Sequence, residues 1–188
     1  GTSKKSGANG IVTFCIQKST GKKCVKKKTI KRLKEEDVRR NFDREVHILG
    51  THKHPALVEL IGYYEQKKSG FIILKTIDKG SLDVNIKKNN KGGEKDPLWD
   101  DTHILIIAYG VACAMEFIQS DNIVHRDLKP SNILLDSKLY PYVTDFGTSK
   151  QLDPSLSIQQ TISGTTPIIM APEFFEDPFN TKDSLMLD

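Results

Sequence analysis

A mostly polar run, HRDLKPSN at residues 125–132, stands between two apolar segments of the chain. Each of its residues alone has an ordinary structural explanation, since an Asp can cap a turn, an Asn can satisfy a loop and a His can be a buried core residue. The run is not isolated, however, because Asp145-Phe146-Gly147 and then Ala171-Pro172-Glu173 follow it in order. An ordered set of this kind restricts the fold far more than any single motif does.

The first part of the chain has the pattern of a small β-sheet with one helix. Short β-rich runs at 11–16 and 23–27 flank the turn residues Ser19-Thr20-Gly21, which predicts an antiparallel hairpin. Apolar stretches at 57–64 and 71–77 indicate further strands. Between them, residues 35–50 predict a helix with four apolar side chains on one face: Val38, Phe42, Val46 and Leu49.

The second part of the chain has helical character. Residues 87–101 are polar and contain glycine, which predicts a solvated loop. Beyond it, apolar residues between Ile104 and Ile118 recur every three to four positions, as in a helix buried in the core of a second lobe. A β-rich half followed by a helical half predicts two lobes, with the chemistry in the cleft between them.

The ordered motifs resemble those of the eukaryotic protein kinase family, Ser/Thr type. The resemblance implies an α+β fold of two lobes, a small antiparallel β lobe with one helix and a mainly helical lobe. Residues 1–76 would form most of the N-lobe, and residues 77–188 the hinge and the first part of the C-lobe. The domain would be partial, because Leu187-Asp188 resembles the start of the helix that anchors the catalytic loop. We therefore expect these 188 residues alone to be inactive.

The resemblance also implies phosphoryl transfer from ATP, with Mg²⁺, to Ser or Thr hydroxyls of protein substrates. Asp127 would accept the proton of the attacking hydroxyl, and Lys129 would point toward the transferred phosphate. Asn132 and Asp145 match the two metal-holding positions, and their oxygens are hard ligands of the kind that Mg²⁺ prefers. The Lys129-Pro130 context is more similar to Ser/Thr kinases than to Tyr kinases. Leu98-Trp99 before a long helix resembles the tyrosine-kinase-like group of Ser/Thr kinases.

The segment before the first predicted hairpin resembles the family's glycine-rich loop. Gly7 and Gly10 match its second and third glycines, and Val12 matches the valine that follows them. Glycine at these positions leaves no Cβ between the backbone N–H groups and the phosphates of ATP. Lys5 replaces the first glycine, which could stiffen the loop or change the nucleotide affinity.

The phosphate-binding lysine must be chosen from Lys26, Lys27 and their neighbour Lys28. If Val25 takes the family's adenine-facing position, the alternation of a strand places Lys27 on the same face and Lys26 on the other. We choose Lys27 and keep Lys26 as the alternative. Glu45, on the helix that follows, matches the position of its ion-pair partner.

By resemblance, the adenine pocket is lined from three segments of the chain. Leu74 would be the gatekeeper, Ile77 would offer a backbone N–H to adenine, and Leu134 would form the floor. Lys75 replaces the usual hinge acid. Because backbone groups hold adenine at the hinge, Lys75 should change the local electrostatic field more than it changes the recognition of adenine. The resemblance also implies a stack of four side chains that links the predicted helix to the catalytic loop: Leu49, Leu60, His125 and Phe146.

The segment between Asp145 and Glu173 carries four hydroxyl residues that an upstream activating kinase could modify: Ser155, Ser157, Thr161 and Ser163. Arg126 could pair with a phosphate there, and we expect the phosphate on Thr161 or Ser163. The segment before Met170 is one residue longer than the family pattern, with Ile169 where Tyr is common.

Composition adds few constraints. A net charge of +4 with 28% charged residues describes an ordinary surface, and the basic cluster at 22–34 has no interleaved aromatics, so we expect no nucleic-acid partner. The apolar run from Ile104 to Ile118 is too short to cross a bilayer, so we expect no membrane insertion in this segment. The three cysteines are odd in number and lack C-x-x-C spacing, so the sequence predicts neither a disulfide framework nor a zinc site. A reducing compartment, cytosol or nucleus, fits this pattern, and we expect a cytoplasmic location.

Two other functions compete with this prediction. A pseudokinase that binds nucleotide without transferring phosphate is suggested by Lys5, Lys75 and the altered segment before Met170. The retention of Lys27, Asp127, Asn132 and Asp145 argues against it. A small-molecule kinase is the weaker rival, because the Arg-Asp-Leu-Lys-Pro and Ala-Pro-Glu segments resemble those of protein-directed kinases.

Overall fold

The computed structural model describes residues 4–7, 10–28, 35–66, 69–90 and 96–152. The first half forms a five-stranded antiparallel sheet in the order β1-β2-β3-β5-β4. Its elements are β1 (Lys4–Gly7), β2 (Gly10–Ile16), β3 (Lys23–Lys28), α1 (Glu35–Thr51), β4 (Leu60–Gln66) and β5 (Ser69–Lys75). The predicted hairpin and helix are therefore present, and β1 is an additional strand that the sequence patterns did not indicate.

Strand register decides which side chains of the sheet face inward. Val12 pairs with Lys27, and Lys27 pairs with Ile72 on the other side of β3. Directly paired residues share a face, and so do residues two apart on a strand. Ile72 is almost fully buried in the core that α1 contributes to, so Val12, Val25 and Lys27 lie on this inner face of the sheet. Lys26 is on the outer face.

The described residues of the second half form two helices and two small strand pairs. Its elements are α2 (Leu82–Asn90), α3 (Asp101–Gln119), β6 (Ile123–Val124), β7 (Ile133–Leu135), β8 (Pro141–Val143) and β9 (Lys150–Gln151). β6 pairs with β9 and β7 with β8, both antiparallel. One turn of 3₁₀-helix, Pro130–Asn132, lies within the polar run at 125–132, and another, Phe146–Thr148, begins within Asp145-Phe146-Gly147.

The two halves share one hydrophobic core. Leu49 of α1 and Leu74 of β5 lie in the same buried cluster as Met115 and Ile118 of α3. The backbone of β8 is bonded to the segment after α1, since Val143 donates to Ala56 O at 2.8 Å and Val58 donates to Val143 O at 3.0 Å. The predicted α+β arrangement is thus present, with the polar run next to the interface of the halves.

The prediction of a solvated loop at 87–101 is wrong in its first part, because residues 87–90 belong to α2. This helix turns a polar side inward. The Asn85 amide donates to Lys79 O and Ser81 O, and the buried Asn89 donates to Asn85 O and accepts from Asp96 N–H. Hydrophobic periodicity cannot reveal a helix whose buried side is satisfied by hydrogen bonds. Residues 91–95 lie outside the described part.

The prediction that the run from Ile104 to Ile118 is a buried helix too short for a membrane needs correction. The run belongs to α3, a helix of 19 residues that is long and apolar enough to cross a membrane by those two criteria. A helix in the core of a folded domain can meet the same criteria. Among the described residues α3 is buried on one side only, and Leu105 and Tyr109 are exposed. Its inner side packs against β6 and β8.

Gly110 allows the close contact between α3 and β8, and replacing it with alanine is expected to destabilise the domain. A Cβ at this position would lie 2.6 Å from Pro141 Cγ, a ring atom that cannot swing away. Overpacking of this kind costs about 1–3 kcal/mol, which outweighs the gain of about 1 kcal/mol from removing a helical glycine.

Gly50 in α1 provides the matched control for this substitution. A Cβ at Gly50 would meet only Leu60 Cδ2, at 3.8 Å, which is ordinary contact. Gly50→Ala should therefore be neutral or stabilising, whereas Gly110→Ala lowers the free energy of unfolding, as measured by urea denaturation. Equal stability of the two variants would contradict the close packing of α3 on Pro141.

Candidate active site

The polar run adopts a fixed loop directly after the buried strand β6. The His125 ring is fully buried, accepts a hydrogen bond at Nδ1 from the Asp127 N–H (3.3 Å) and donates from Nε2 to Thr144 O (3.1 Å). These two bonds require the neutral Nε2–H tautomer. Arg126 between them has a φ of 70°, a left-handed conformation that costs a non-glycine residue energy and is frequent at functional sites.

Asp127 is held by two other residues of the run. Lys129 Nζ lies 2.7 Å from its carboxylate, and the Asn132 amide donates both to Asp127 Oδ2 (3.0 Å) and to its backbone oxygen (2.7 Å). The 3₁₀ turn that begins at Pro130 brings Asn132 back toward Asp127. Asp127 is 4% exposed, so this buried carboxylate is fixed in orientation.

A backbone hydrogen bond places Asp145 beside this cluster. Thr144 N–H donates to Asn132 O at 2.9 Å, which places the following residue beside Asn132. Asp145 itself has left-handed dihedral angles, φ 71° and ψ 62°. The chain turns there, and the turn directs the Asp145 carboxylate toward the sheet.

Lys27 connects the sheet, α1 and Asp145. Its Nζ lies 2.8 Å from Glu45 Oε2 and 2.8 Å from Asp145 Oδ1. The predicted ion pair of Lys27 with Glu45 is present. Lys26, the alternative, instead lies over the Phe71 ring, 4.3 Å from its centroid, on the outer face of the sheet.

The electrostatics of this triad follow from burial and charge. Burial alone would lower the pKa of Lys27, but the Glu45 and Asp145 carboxylates outweigh it and raise that pKa well above its ordinary value, so the ammonium stays charged. Burial also raises the pKa of Glu45, and Lys27 opposes this shift. Glu45 therefore depends on Lys27 to remain ionised.

Helix α1 is anchored on the segment that follows Asp145. The Arg44 guanidinium donates to Gly147 O at 2.9 Å. Phe146 is fully buried and meets the His125 ring edge-to-face at 4.7 Å, and Leu49 and Leu60 pack in the same core as Phe146. The four side chains of the predicted stack are thus brought together. They connect the helix that carries Glu45 to the loop that carries Asp127.

The residues predicted to contact nucleotide lie around the same inner face. Val12 and Val25 are half-buried on that face, and Leu74 beside them is buried. Leu134 in β7 pairs with Ser81, just beyond the hinge, where Ile77 is buried. Gly7 and Gly10 are directly paired at the end of the β1–β2 hairpin. Lys75 is exposed, and its backbone N–H donates a hydrogen bond to Glu59 O at 3.0 Å.

A family model described as a protein kinase domain matches residues 6–184. The chain belongs to the protein kinase family. The resemblance drawn from the motifs and the predicted kinase fold are both confirmed. A small antiparallel sheet with one helix precedes a part with helices, as in that fold.

Individual relatives match most of this kinase chain. It is 31% identical over 183 residues to the leucine-rich repeat receptor-like protein kinase PEPR2 of Arabidopsis thaliana, covering 95% of this chain and 16% of that protein. It is 32% identical over 177 residues to the phosphorylase b kinase gamma catalytic chain, liver/testis isoform, of Bos taurus, covering 90% and 41%. It is 31% identical over 162 residues to calcium-dependent protein kinase 6 of Plasmodium berghei, covering 85% and 10%. The chain thus spans less than half the length of these relatives.

Sequence reasoning missed three features of the kinase site. It did not predict that Lys27 contacts Asp145 as well as Glu45, or that Asn132 holds the Asp127 side chain. It also did not single out Thr76, between Lys75 and Ile77, whose hydroxyl is buried without a hydrogen-bond partner among the described residues. No local pattern signals these contacts.

Several predictions fall outside the described residues. These are the phosphorylation sites Ser155, Ser157, Thr161 and Ser163, the Ala171-Pro172-Glu173 segment, and the proposed anchor Asp188.

Proposed function

We propose that this domain transfers the γ-phosphoryl group of ATP to Ser or Thr hydroxyls of protein substrates. The observation that carries the proposal is that two charged side chains of the site, Lys27 and Asp127, are each fixed in place by neighbouring residues. Lys27 is held between Glu45 and Asp145, while Asp127 is held by Lys129 and Asn132. Phosphoryl transfer depends mainly on positioning and on electrostatic stabilisation, and both need charges that are fixed in this way.

Each residue has a role in this proposal. Lys27 would bind the phosphates of ATP, and Gly7 and Gly10 would let the backbone approach them. Asp127 would orient the acceptor hydroxyl and take its proton, and Lys129 would stabilise the charge on the transferred group. Val25, Leu134 and the backbone at Ile77 would hold adenine, with Val12 on the same face. This division separates nucleotide binding, at the sheet, from proton transfer, at the loop.

Mg²⁺ fits the residues present. The ion usually binds one or two carboxylates together with phosphates and water. Asp145 offers a carboxylate, and the N–H of the preceding Thr144 donates to Asn132 O at 2.9 Å, so Asn132 and Asp145 lie close to each other in the site. Asn132 and Asp145 would therefore hold Mg²⁺ together with ATP, and the ion would neutralise charge on the phosphates.

Ser/Thr specificity rests on the Lys129-Pro130 context and on relatives named as serine/threonine kinases, such as FEI 2 of Arabidopsis thaliana, which is 39% identical over 140 residues. Phosphorylation of Thr161 or Ser163 by an upstream kinase stays a prediction. It is supported by the position of Arg44, whose pKa is lowered by burial and by the nearby Arg126 guanidinium, because a phosphate would relieve repulsion between these cations. A cytoplasmic location without membrane insertion or a nucleic-acid partner also stays a proposal.

A transfer assay with matched peptides tests the function. The full-length protein is incubated with γ-labelled ATP and peptides that differ only in having Ser, Thr or Tyr as the acceptor. We expect label on Ser and Thr peptides, little on Tyr, and none after EDTA removes the divalent cation. Nucleotide binding without transfer to any peptide would favour the pseudokinase, and labelling of small metabolites alone would favour the small-molecule kinase.

A further inference from the structure

Two cysteines that have no role in the proposed phosphoryl transfer form a close pair on the outer face of the sheet. Cys15 of β2 and Cys24 of β3 are directly paired across the antiparallel strands, and their sulfur atoms lie 3.1 Å apart. Both are free thiols. Cys24 is 3% exposed, whereas Cys15 is half-buried.

This arrangement is close to the geometry of a disulfide. Directly paired residues on antiparallel strands have Cα atoms about 4.5–5.5 Å apart, within the range of about 4.4–6.8 Å that disulfides use. Each sulfur also lies 3.5 Å from the backbone oxygen of the other cysteine, so both side chains lean across the strand boundary. An S–S bond of about 2.05 Å requires the two sulfur atoms to move only about 1 Å closer.

We propose that Cys15 and Cys24 are a redox pair that hydrogen peroxide converts into a reversible disulfide. The Cys15 thiolate attacks one oxygen of peroxide, the O–O bond breaks, and Cys15 becomes a sulfenic acid with release of water. The Cys24 thiolate then attacks the Cys15 sulfur, the S–O bond breaks, and a second water leaves. Two thiols lose two electrons, one peroxide gains them, and a thiol reductant reverses the reaction.

Exposure decides the order of the two steps. Peroxide can reach the half-buried Cys15 more readily than the buried Cys24. Burial and the neighbouring Cys15 thiol also raise the pKa of Cys24 to about 11, which makes it the poorer first nucleophile at neutral pH. Its contact with Cys15 compensates in the second step, because reacting groups that are already in contact react as an intramolecular pair.

The disulfide would act on the strand that carries the nucleotide-binding residues. Cys24 immediately precedes Val25 and is three residues before Lys27. A cross-link between β2 and β3 restricts the hairpin that covers the proposed ATP site. We therefore expect oxidised protein to bind ATP more weakly than reduced protein, a consequence that rests on the proposed function, whereas disulfide formation does not.

Differential alkylation of the full-length protein tests the pair. The protein is treated with hydrogen peroxide, its free thiols are alkylated, and the digest is analysed by mass spectrometry with and without reduction. We expect Cys15 and Cys24 to lose alkylation together and to appear in one cross-linked peptide that reduction separates. Cys113, on α3, is the internal control and should stay alkylated.

Single substitutions make the test decisive. In Cys15→Ser, Cys24 should keep its free thiol under peroxide, and in Cys24→Ser, Cys15 should proceed to sulfinic acid or to a mixed disulfide. Oxidation of Cys15 to sulfinic acid in the unmodified protein without a cross-link, or cross-links only between molecules, would overturn the redox pair. Equal ATP affinity of the reduced and disulfide forms, measured with a fluorescent nucleotide, would overturn the regulatory consequence even if transfer activity is normal.

Discussion

Asp127→Asn is expected to reduce phosphoryl transfer by about 10²–10⁴-fold, the usual contribution of a general base, with nucleotide binding largely retained. Asparagine has the size of aspartate but cannot accept the proton of the acceptor hydroxyl. The proposed nucleotide contacts lie elsewhere, on the inner face of the sheet and at the hinge. The loss should therefore appear in kcat and not in the affinity for ATP.

The contacts of Asp127 indicate why this substitution should leave the loop folded. The Asn132 amide already donates to the Asp127 backbone oxygen, a bond that does not depend on the side chain. The asparagine oxygen can still accept one of the two side-chain bonds that Asp127 now receives from Lys129 and Asn132. Lys129 loses its ion pair with Asp127, which adds to the effect on transfer.

Asp121→Asn provides a matched control with the same chemical change. The Asp121 side chain is 60% exposed and contacts His52, away from the proposed site. Peptide phosphorylation and fluorescent-nucleotide binding are measured for both variants, with circular dichroism to check folding. Turnover of Asp127→Asn within a few-fold of the Asp121→Asn value would exclude Asp127 as the base.

Local rules predicted much of the site because its parts lie on regular elements. Strand alternation separated Lys27 from Lys26, and the structure places them on opposite faces of β3. Helical periodicity located α1 and thereby the element that carries Glu45. The contact of Lys27 with Asp145 joins residues 118 positions apart. It depends on the left-handed conformation of Asp145, which no pattern in the sequence predicts.

The failures of the sequence analysis also have physical causes. The inward side of α2 is polar, and Asn85 and Asn89 are satisfied by backbone groups, so a search for apolar periodicity passes over it. In α3 the apolar residues extend around the helix, so periodicity could not tell which of them would be covered. Hydrophobic patterns report burial only where burial is achieved with apolar side chains.

Lys27→Met is expected to reduce phosphoryl transfer by about 10²–10³-fold, the usual cost of removing one fixed donor that stabilises negative charge in a transition state. Methionine has a similar length, so packing in the sheet changes little. The change leaves Glu45, which is 3% exposed, without its cation. Breaking a buried ion pair typically costs about 3–5 kcal/mol, and because burial already raises the pKa of Glu45, the carboxyl should then take up a proton.

Lys26→Met is the matched control, because it removes an equal charge from the neighbouring residue on the outer face. Its Nζ lies over Phe71, and a cation–π contact contributes about 0.5–2 kcal/mol, less than a buried ion pair. Transfer by Lys26→Met should stay close to that of the unmodified protein. The reverse ranking of the two variants would assign the phosphate-binding role to Lys26.

The double variant Lys27→Met, Glu45→Gln separates the two functions of Lys27. If the lysine only stabilises α1 by neutralising Glu45, removing the carboxylate charge as well should restore both stability and transfer. If Lys27 also binds phosphate, the double variant should regain thermal stability, because the buried Glu45 charge is removed together with its cation, and yet remain inactive. Thermal melting and peptide phosphorylation of Lys27→Met, Lys26→Met and the double variant distinguish these outcomes. Recovered activity in the double variant would show that Lys27 acts only through Glu45, whereas recovered stability without activity supports direct contact of Lys27 with the phosphates of ATP.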